Sequence, residues 1–79
     1  MTAQKFRSEM TRAETMRRLA DEPTKADYYA GYVRGLRRKY HGEKFSSQQE
    51  HELWLKLVDD IDESRAARGR GYQDGLKIN

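Results

Sequence analysis

The chain has 79 residues, no cysteine, 16 Lys and Arg against 13 Asp and Glu, and a 37% charged against 35% hydrophobic composition. That leaves room for one small core and no second; it excludes disulfides and thiolate chemistry, and the two histidines, His41 and His51, are too few soft ligands for a structural zinc site. The net charge of +3 permits contact with nucleic acid or an acidic protein, although charges of both signs are mixed along the chain. No apolar run approaches the roughly 20 residues that span a bilayer, and the opening MTAQKFRSEM lacks the apolar stretch of a secretory signal. The expectation is a cytoplasmic chain without metal, cofactor or membrane segment.

Taken in order, residues 1 to 8 are expected to be the least ordered part. Thr11 with Glu14 has the spacing of a capping box and opens a short helix over about 11 to 20, with Ala13, Met16 and Leu19 inward. Pro23 disfavours helix in the residue before it and closes that element near Ala20. Thr24 with Asp27 then caps a second helix over about 25 to 41, whose stripe is Ala26, Tyr29, Val33, Leu36 and Tyr40. Arg37, Arg38 and Lys39 suit the negative end of its dipole, and Gly42 can take the left-handed conformation that ends it. Ser47 with Glu50 opens a third helix over about 48 to 59, with His51, Trp54, Leu55 and Val58 facing inward. The acidic run Asp59, Asp60, Asp62 and Glu63 marks a junction; it lacks the spacing and central glycine of a calcium loop. The last helix, about 63 to 77, carries glycines that cost roughly 1 kcal/mol each against alanine, so packing must hold it. The reading is all-α: a compact bundle of three to four short helices in a single domain. Its expected core is Leu19, Tyr29, Val33, Leu36, Trp54, Leu55, Val58, Tyr72 and Leu76.

One motif repeats. Gly31-Tyr32-Val33-Arg34-Gly35-Leu36-Arg37 and Gly71-Tyr72-Gln73-Asp74-Gly75-Leu76-Lys77 share the pattern G-Y-x-x-G-L-[RK]. Glycines four apart clear one strip of a helix surface, so Gly31 and Gly35 are expected to face Gly71 and Gly75 at a close helix crossing. The pattern lacks the strand-loop-helix context of a phosphate-binding loop.

Catalytic chemistry has no visible apparatus: no serine stands with a histidine and an acid in a recognisable context. His41 reads as a helix-end residue and His51 as a hydrogen-bonded core histidine. Arg34, Arg37, Arg38 and His41 fall opposite the stripe of the second helix and make a basic face. Arg17 and Arg18 add to the first helix, and Arg65, Arg68 and Arg70 to the last. Tyr28 and Tyr29 point about 100° apart, so one of them leaves the stripe. An exposed tyrosine beside arginines has the composition of a protein-binding hot spot and also suits base stacking. Tyr28, Arg34, Arg37 and Arg38 are therefore the candidate partner contacts, and Arg68 and Arg70 the candidate phosphate contacts. No Asn, Gln or Ser stands among the arginines of the basic face to read base edges. A homodimer is a further expectation, through Phe45, Tyr40 and the outer side of the Trp54 helix; in a monomer Phe45 would instead fold back between the second and third helices.

The run from Asp27 to Phe45, YYAGYVRGLRRKYHGEKF after its first residue, with Glu50-His51 and the segment Ser64 to Gly75, resembles a motif of small bacterial proteins associated with phages and prophages. The resemblance implies an accessory protein that acts by binding a host machine, a class that includes anti-defence and anti-CRISPR inhibitors. The expected function is thus non-enzymatic: binding of a host protein or nucleoprotein complex, with direct nucleic-acid binding through a basic helix face as the alternative.

Overall fold

A computed structural model describes residues Met1–Asn79. It contains four α-helices and no strand: α1 Ala3–Leu19, α2 Pro23–His41, α3 Gln48–Lys56 and α4 Glu63–Leu76, with single 3-10 turns at Gly42–Lys44 and Leu57–Asp59. No helix is long and apolar enough to cross a membrane.

The first helix departs from expectation. Thr2, not Thr11, is its N-cap, with Oγ1 accepting from the Lys5 amide at 3.1 Å. Residues 3 to 8 are helical because Phe6, Met10 and Ala13 form a stripe onto α2; the Phe6 ring stacks on Tyr40, centroids 4.3 Å apart and planes 8° from parallel. Leu19 lies six residues, or about 120° around the helix, from the buried Ala13, and it is 73% exposed instead of core. The start of α2 also differs. Glu22 is the N-cap and Pro23 the first helical residue, where its missing N–H costs nothing. Thr24 and Asp27 form no capping box, and Asp27 instead accepts from Ser64 Oγ at 2.6 Å. Ser47 caps α3 as expected, Oγ accepting from Glu50 N–H at 3.1 Å. The acidic run ends in a cap: Asp62 accepts from the Arg65 amide at 3.0 Å and opens α4.

The centre of the fold is the packing of α2 on α4 at the repeated glycines. A methyl group built on Gly31 would strike the carbonyl oxygen of Arg68, and one on Gly71 the carbonyl oxygen of Tyr28. Likewise one on Gly35 would strike the carbonyl of Tyr72, and one on Gly75 that of Tyr32. Each contact thus has a counterpart 40 positions along the sequence: 31 with 68 and 71 with 28, 35 with 72 and 75 with 32. The pairs advance together, so α2 and α4 run parallel and are related by a local two-fold between them. Backbone carbonyls meeting glycine Cα–H groups are a recurrent arrangement at close helix crossings.

The relation extends outward. Tyr32 reaches back to α1, its hydroxyl donating to Glu9 Oε1 at 3.0 Å and accepting from Arg12 at 3.0 Å. Tyr72 reaches back to α3, where its hydroxyl meets His51 Nδ1 at 2.6 Å. The fold is two helical hairpins, α1–α2 and α3–α4, each pinned by the tyrosine of its G-Y-x-x-G-L motif. The corners match as well: α2 begins at Pro23 and α4 at Glu63, while α1 ends at Leu19 and the turn after α3 at Asp59.

The buried set is small and differs from the expected one: Ala13, Tyr32, Val33, Leu36, Ala66, Ala67 and Tyr72 with Ser46, Gly69 and the crossing glycines. Tyr29, Trp54, Leu55, Val58 and Leu76, expected in the core, are half-buried. The backbone approach at the glycines takes the central volume that those larger side chains would otherwise fill. Cα extents of 34 × 31 × 16 Å describe a thin slab with much of its apolar surface near solvent.

Candidate functional site

The basic face expected on α2 is divided by the helices that flank it. Arg34 turns toward α3, where its guanidinium donates to Glu50 Oε1 at 2.8 Å and lies 4.8 Å from the Trp54 ring centre and 5.1 Å from that of Phe45. Its Nε is buried and makes no hydrogen bond, so the rings carry that side of the charge. Arg38 also faces α3 and donates to Gln48 Oε1 at 3.1 Å. Arg37 points the other way, 4.0 Å from Glu14 of α1. These three side chains do not form one surface. Phe45, half-buried under Arg34, closes the α2–α3 side, and Tyr40 is covered by Phe6. Phe45 and Tyr40 of the patch expected to make a homodimer are thus packed within the chain, while its third part, the outer side of α3, stays exposed at Leu53.

His51 is the hydrogen-bonded residue its stripe implied. Burial and the neighbouring Arg38 charge push its imidazole below the ordinary value, against a smaller opposing pull from Glu52, which favours the neutral ring beside the Tyr72 hydroxyl. His41 is exposed at the end of α2, edge-on to Tyr40 and Phe6. No group of three or more His, Cys, Asp or Glu side chains could hold a metal ion.

What the structure does assemble is an open groove of about 410 Å³ between the end of α1 and the start of α2. Met16, Leu19, Ala20 and Asp21 form one wall, Thr24, Lys25, Tyr28 and Tyr29 the other, and Arg70 of α4 closes one end. Met16 is 40% and Leu19 73% exposed, so this is apolar surface the fold leaves uncovered. Tyr28 is held in place from below: its hydroxyl donates to Asp74 of α4, and burial together with that carboxylate raises its pKa well above the ordinary value. Tyr29 stands edge-on to Tyr28 with centroids 5.0 Å apart. Lys25 is paired with Asp21 at 3.1 Å. Arg17, Arg18 and Arg70 have no carboxylate within 4.0 Å.

The local two-fold explains why the groove exists. The position equivalent to Tyr29 in the second hairpin is Gly69, where a methyl group would lie 2.5 Å from the Val58 amide nitrogen, so the 3-10 turn after α3 presses directly on α4. In the first hairpin a tyrosine stands at that place and holds the end of α1 away from α2. One corner is closed by glycine and the other is propped open by an aromatic ring.

Of the candidate contacts, then, Tyr28 and Arg70 come together at the groove. Arg68 does not; it lies 3.6 Å from Asp27 and donates to Ser64 at 3.0 Å. The groove also uses Leu19 and Tyr29, expected in the core, and Met16, expected to face inward. Comparison of the chain with protein-family models, with curated proteins and with solved structures gives no match.

Proposed function

We propose that the chain is a non-enzymatic binding protein whose docking surface is the α1–α2 groove, and that its partner is a protein presenting apolar side chains beside carboxylates. The observation that carries this reading is the groove itself: exposed Met16 and Leu19 against Tyr28 and Tyr29, with Arg70 unpaired at its end. Aromatic rings and an arginine around an apolar groove that a partner would desolvate are the composition of an interface hot spot. Arg17 and Arg18 on the same stretch of α1 add positive charge that favours an acidic partner on approach. The resemblance to phage-associated proteins makes a host protein or nucleoprotein complex the natural target class, with inhibition of a defence system as the specific form.

Protein is preferred over nucleic acid because the arginines best placed to form a phosphate-binding stripe have internal partners. Arg34, Arg37 and Arg68 face carboxylates, and Arg38 faces an amide. The test is recovery of partners from nuclease-treated bacterial lysate on wild-type chain, on Leu19→Asp and on Arg34→Ala. A stoichiometric protein retained by wild type and Arg34→Ala but lost from Leu19→Asp is the expected result. Retention by Leu19→Asp, or tight salt-sensitive binding of the purified chain to DNA or RNA in place of any protein, contradicts it.

A further inference from the structure

We infer that a second copy of this chain can occupy the groove, inserting the corner between the 3-10 turn and α4, so that the protein associates head to tail. The proposal rests on the groove as a docking surface and adds its own occupant. That corner is Asp59-Asp60-Ile61-Asp62-Glu63, and Ile61 is wholly exposed, the most exposed large apolar side chain in the molecule. Asp60 and Asp62 both have extended backbone, with φ, ψ of −70°, 143° and −76°, 121°, so the isoleucine stands out on the bend between them instead of lying along a helix. The corner therefore offers one apolar side chain beside the unpaired Asp59 and Glu63, while Asp60 faces Arg65 at 3.8 Å and Asp62 caps α4. The groove offers the complement: apolar walls at Met16, Leu19 and Tyr29, with Arg70 unpaired at one end and the one lining carboxylate, Asp21, already paired with Lys25; Arg17 and Arg18, also without a carboxylate partner, lie on α1 beside it. Opposed charge of this kind offsets the +3 that each copy carries as a whole.

The geometry also fixes the kind of assembly. The corner at residues 60 to 62 is the two-fold counterpart of the α1–α2 corner at residues 20 to 22, beside which the groove lies. Groove and corner are therefore at the same end of the slab, where α2 and α4 begin, but on opposite sides of the local axis. Because groove and corner are different surfaces, the contact is heterologous, and a copy whose groove is filled keeps its own corner free for a further copy unless the pair closes reciprocally.

Sedimentation equilibrium on wild type, Leu19→Asp and Ile61→Asp tests this. Both substituted side chains are largely in solvent, so an unchanged thermal melt is the check that each variant is folded. Wild type should show a mass that rises above 9.3 kDa with concentration and falls back in high salt. Each variant alone should stay at the single-chain mass. An equimolar mixture should form a pair and nothing larger, because Ile61→Asp keeps an intact groove and Leu19→Asp an intact corner. Wild type that stays monomeric up to millimolar concentration, a variant that still associates alone, or a mixture that stays monomeric each overturns the proposal. A monomeric wild type that nevertheless recovers a Leu19-dependent protein partner refutes self-association while leaving the docking role of the groove standing.

Discussion

Replacing Gly71 by alanine sets two effects of opposite sign against each other. In a helix free of tertiary constraint the change stabilises, by about 1 kcal/mol, because glycine has more backbone entropy to lose. Here the added methyl lands on the carbonyl oxygen of Tyr28, and its next neighbour is the Tyr32 amide nitrogen at 2.8 Å, so backbone blocks it on two sides. No side-chain rotation relieves that. The helices must part by on the order of an ångström to restore ordinary contact, and the loss spreads along the whole crossing because Gly31, Gly35 and Gly75 depend on the same approach. Overpacking of this kind costs about 1 to 3 kcal/mol or more, which exceeds the propensity gain. For a chain of 79 residues, whose total stability is of the order of 4 to 12 kcal/mol, a net loss of about 2 kcal/mol lowers Tm by roughly 8 to 16 °C. Thermal unfolding followed by circular dichroism measures it, with Gly31→Ala as the two-fold counterpart expected to lose a similar amount. A rise in Tm for either variant, the outcome propensity alone dictates, refutes the crossing.

Further outcomes follow from the same contacts. Arg34→Ala should destabilise by about 1 to 2 kcal/mol and Arg34→Lys should recover little of it, since an ammonium cannot keep both the Glu50 bond and the planar contacts with Phe45 and Trp54; chemical denaturation of the three proteins decides this. The imidazole of His51 is held below its ordinary value, so the unfolded chain takes up a proton first: the His51 contribution to stability is present above about pH 6.5 and is lost as pH falls below it, and His51→Asn should flatten that part of a Tm-against-pH profile. The hydroxyls of Tyr28, Tyr32 and Tyr72 are raised, burial being the first cause in each, so their contribution is full below about pH 10 and is lost as pH rises through their folded values; in a chain carrying Tyr29→Phe and Tyr40→Phe, tyrosinate absorbance should then appear together with loss of helix, and not before it. Phe6→Ala should cost about 2 kcal/mol, which a denaturant titration would show and a disordered N-terminus would not.

The sequence was most informative where a pattern had one physical meaning. Glycines four apart flanked by Tyr and Leu, occurring twice in a chain with one core, imply a close crossing, and Ser47 with its downstream Glu50 marks a helix start wherever it stands. It was least informative where one pattern allowed two registers. Thr2 and Thr11 both suit a cap, and the choice between them is made by Phe6, Met10 and Ala13, whose four- and three-residue spacing already carried the longer helix. Continuing that stripe leads to Arg17, which leaves Leu19 off the buried side; taking Leu19 as core required a stripe that began at Ala13. The basic face of α2 looked continuous because helical geometry says nothing of which neighbour each arginine meets, and Glu50, Gln48 and Glu14 come from two other helices. The groove was hidden for a similar reason: it depends on Tyr29 standing where the other hairpin has Gly69, a difference that acquires meaning only once the two hairpins are superposed by their crossing.

The most direct measurement of the central claim is site-specific photocrosslinking from the groove in bacterial cells. A photoreactive phenylalanine derivative at position 19, in the groove, is compared with one at position 53, where Leu53 is also well exposed but lies on α3. A discrete crosslinked protein product is expected from position 19, absent from position 53 and weakened several-fold by Arg70→Glu. Crosslinking from position 53 and none from position 19 would contradict that claim.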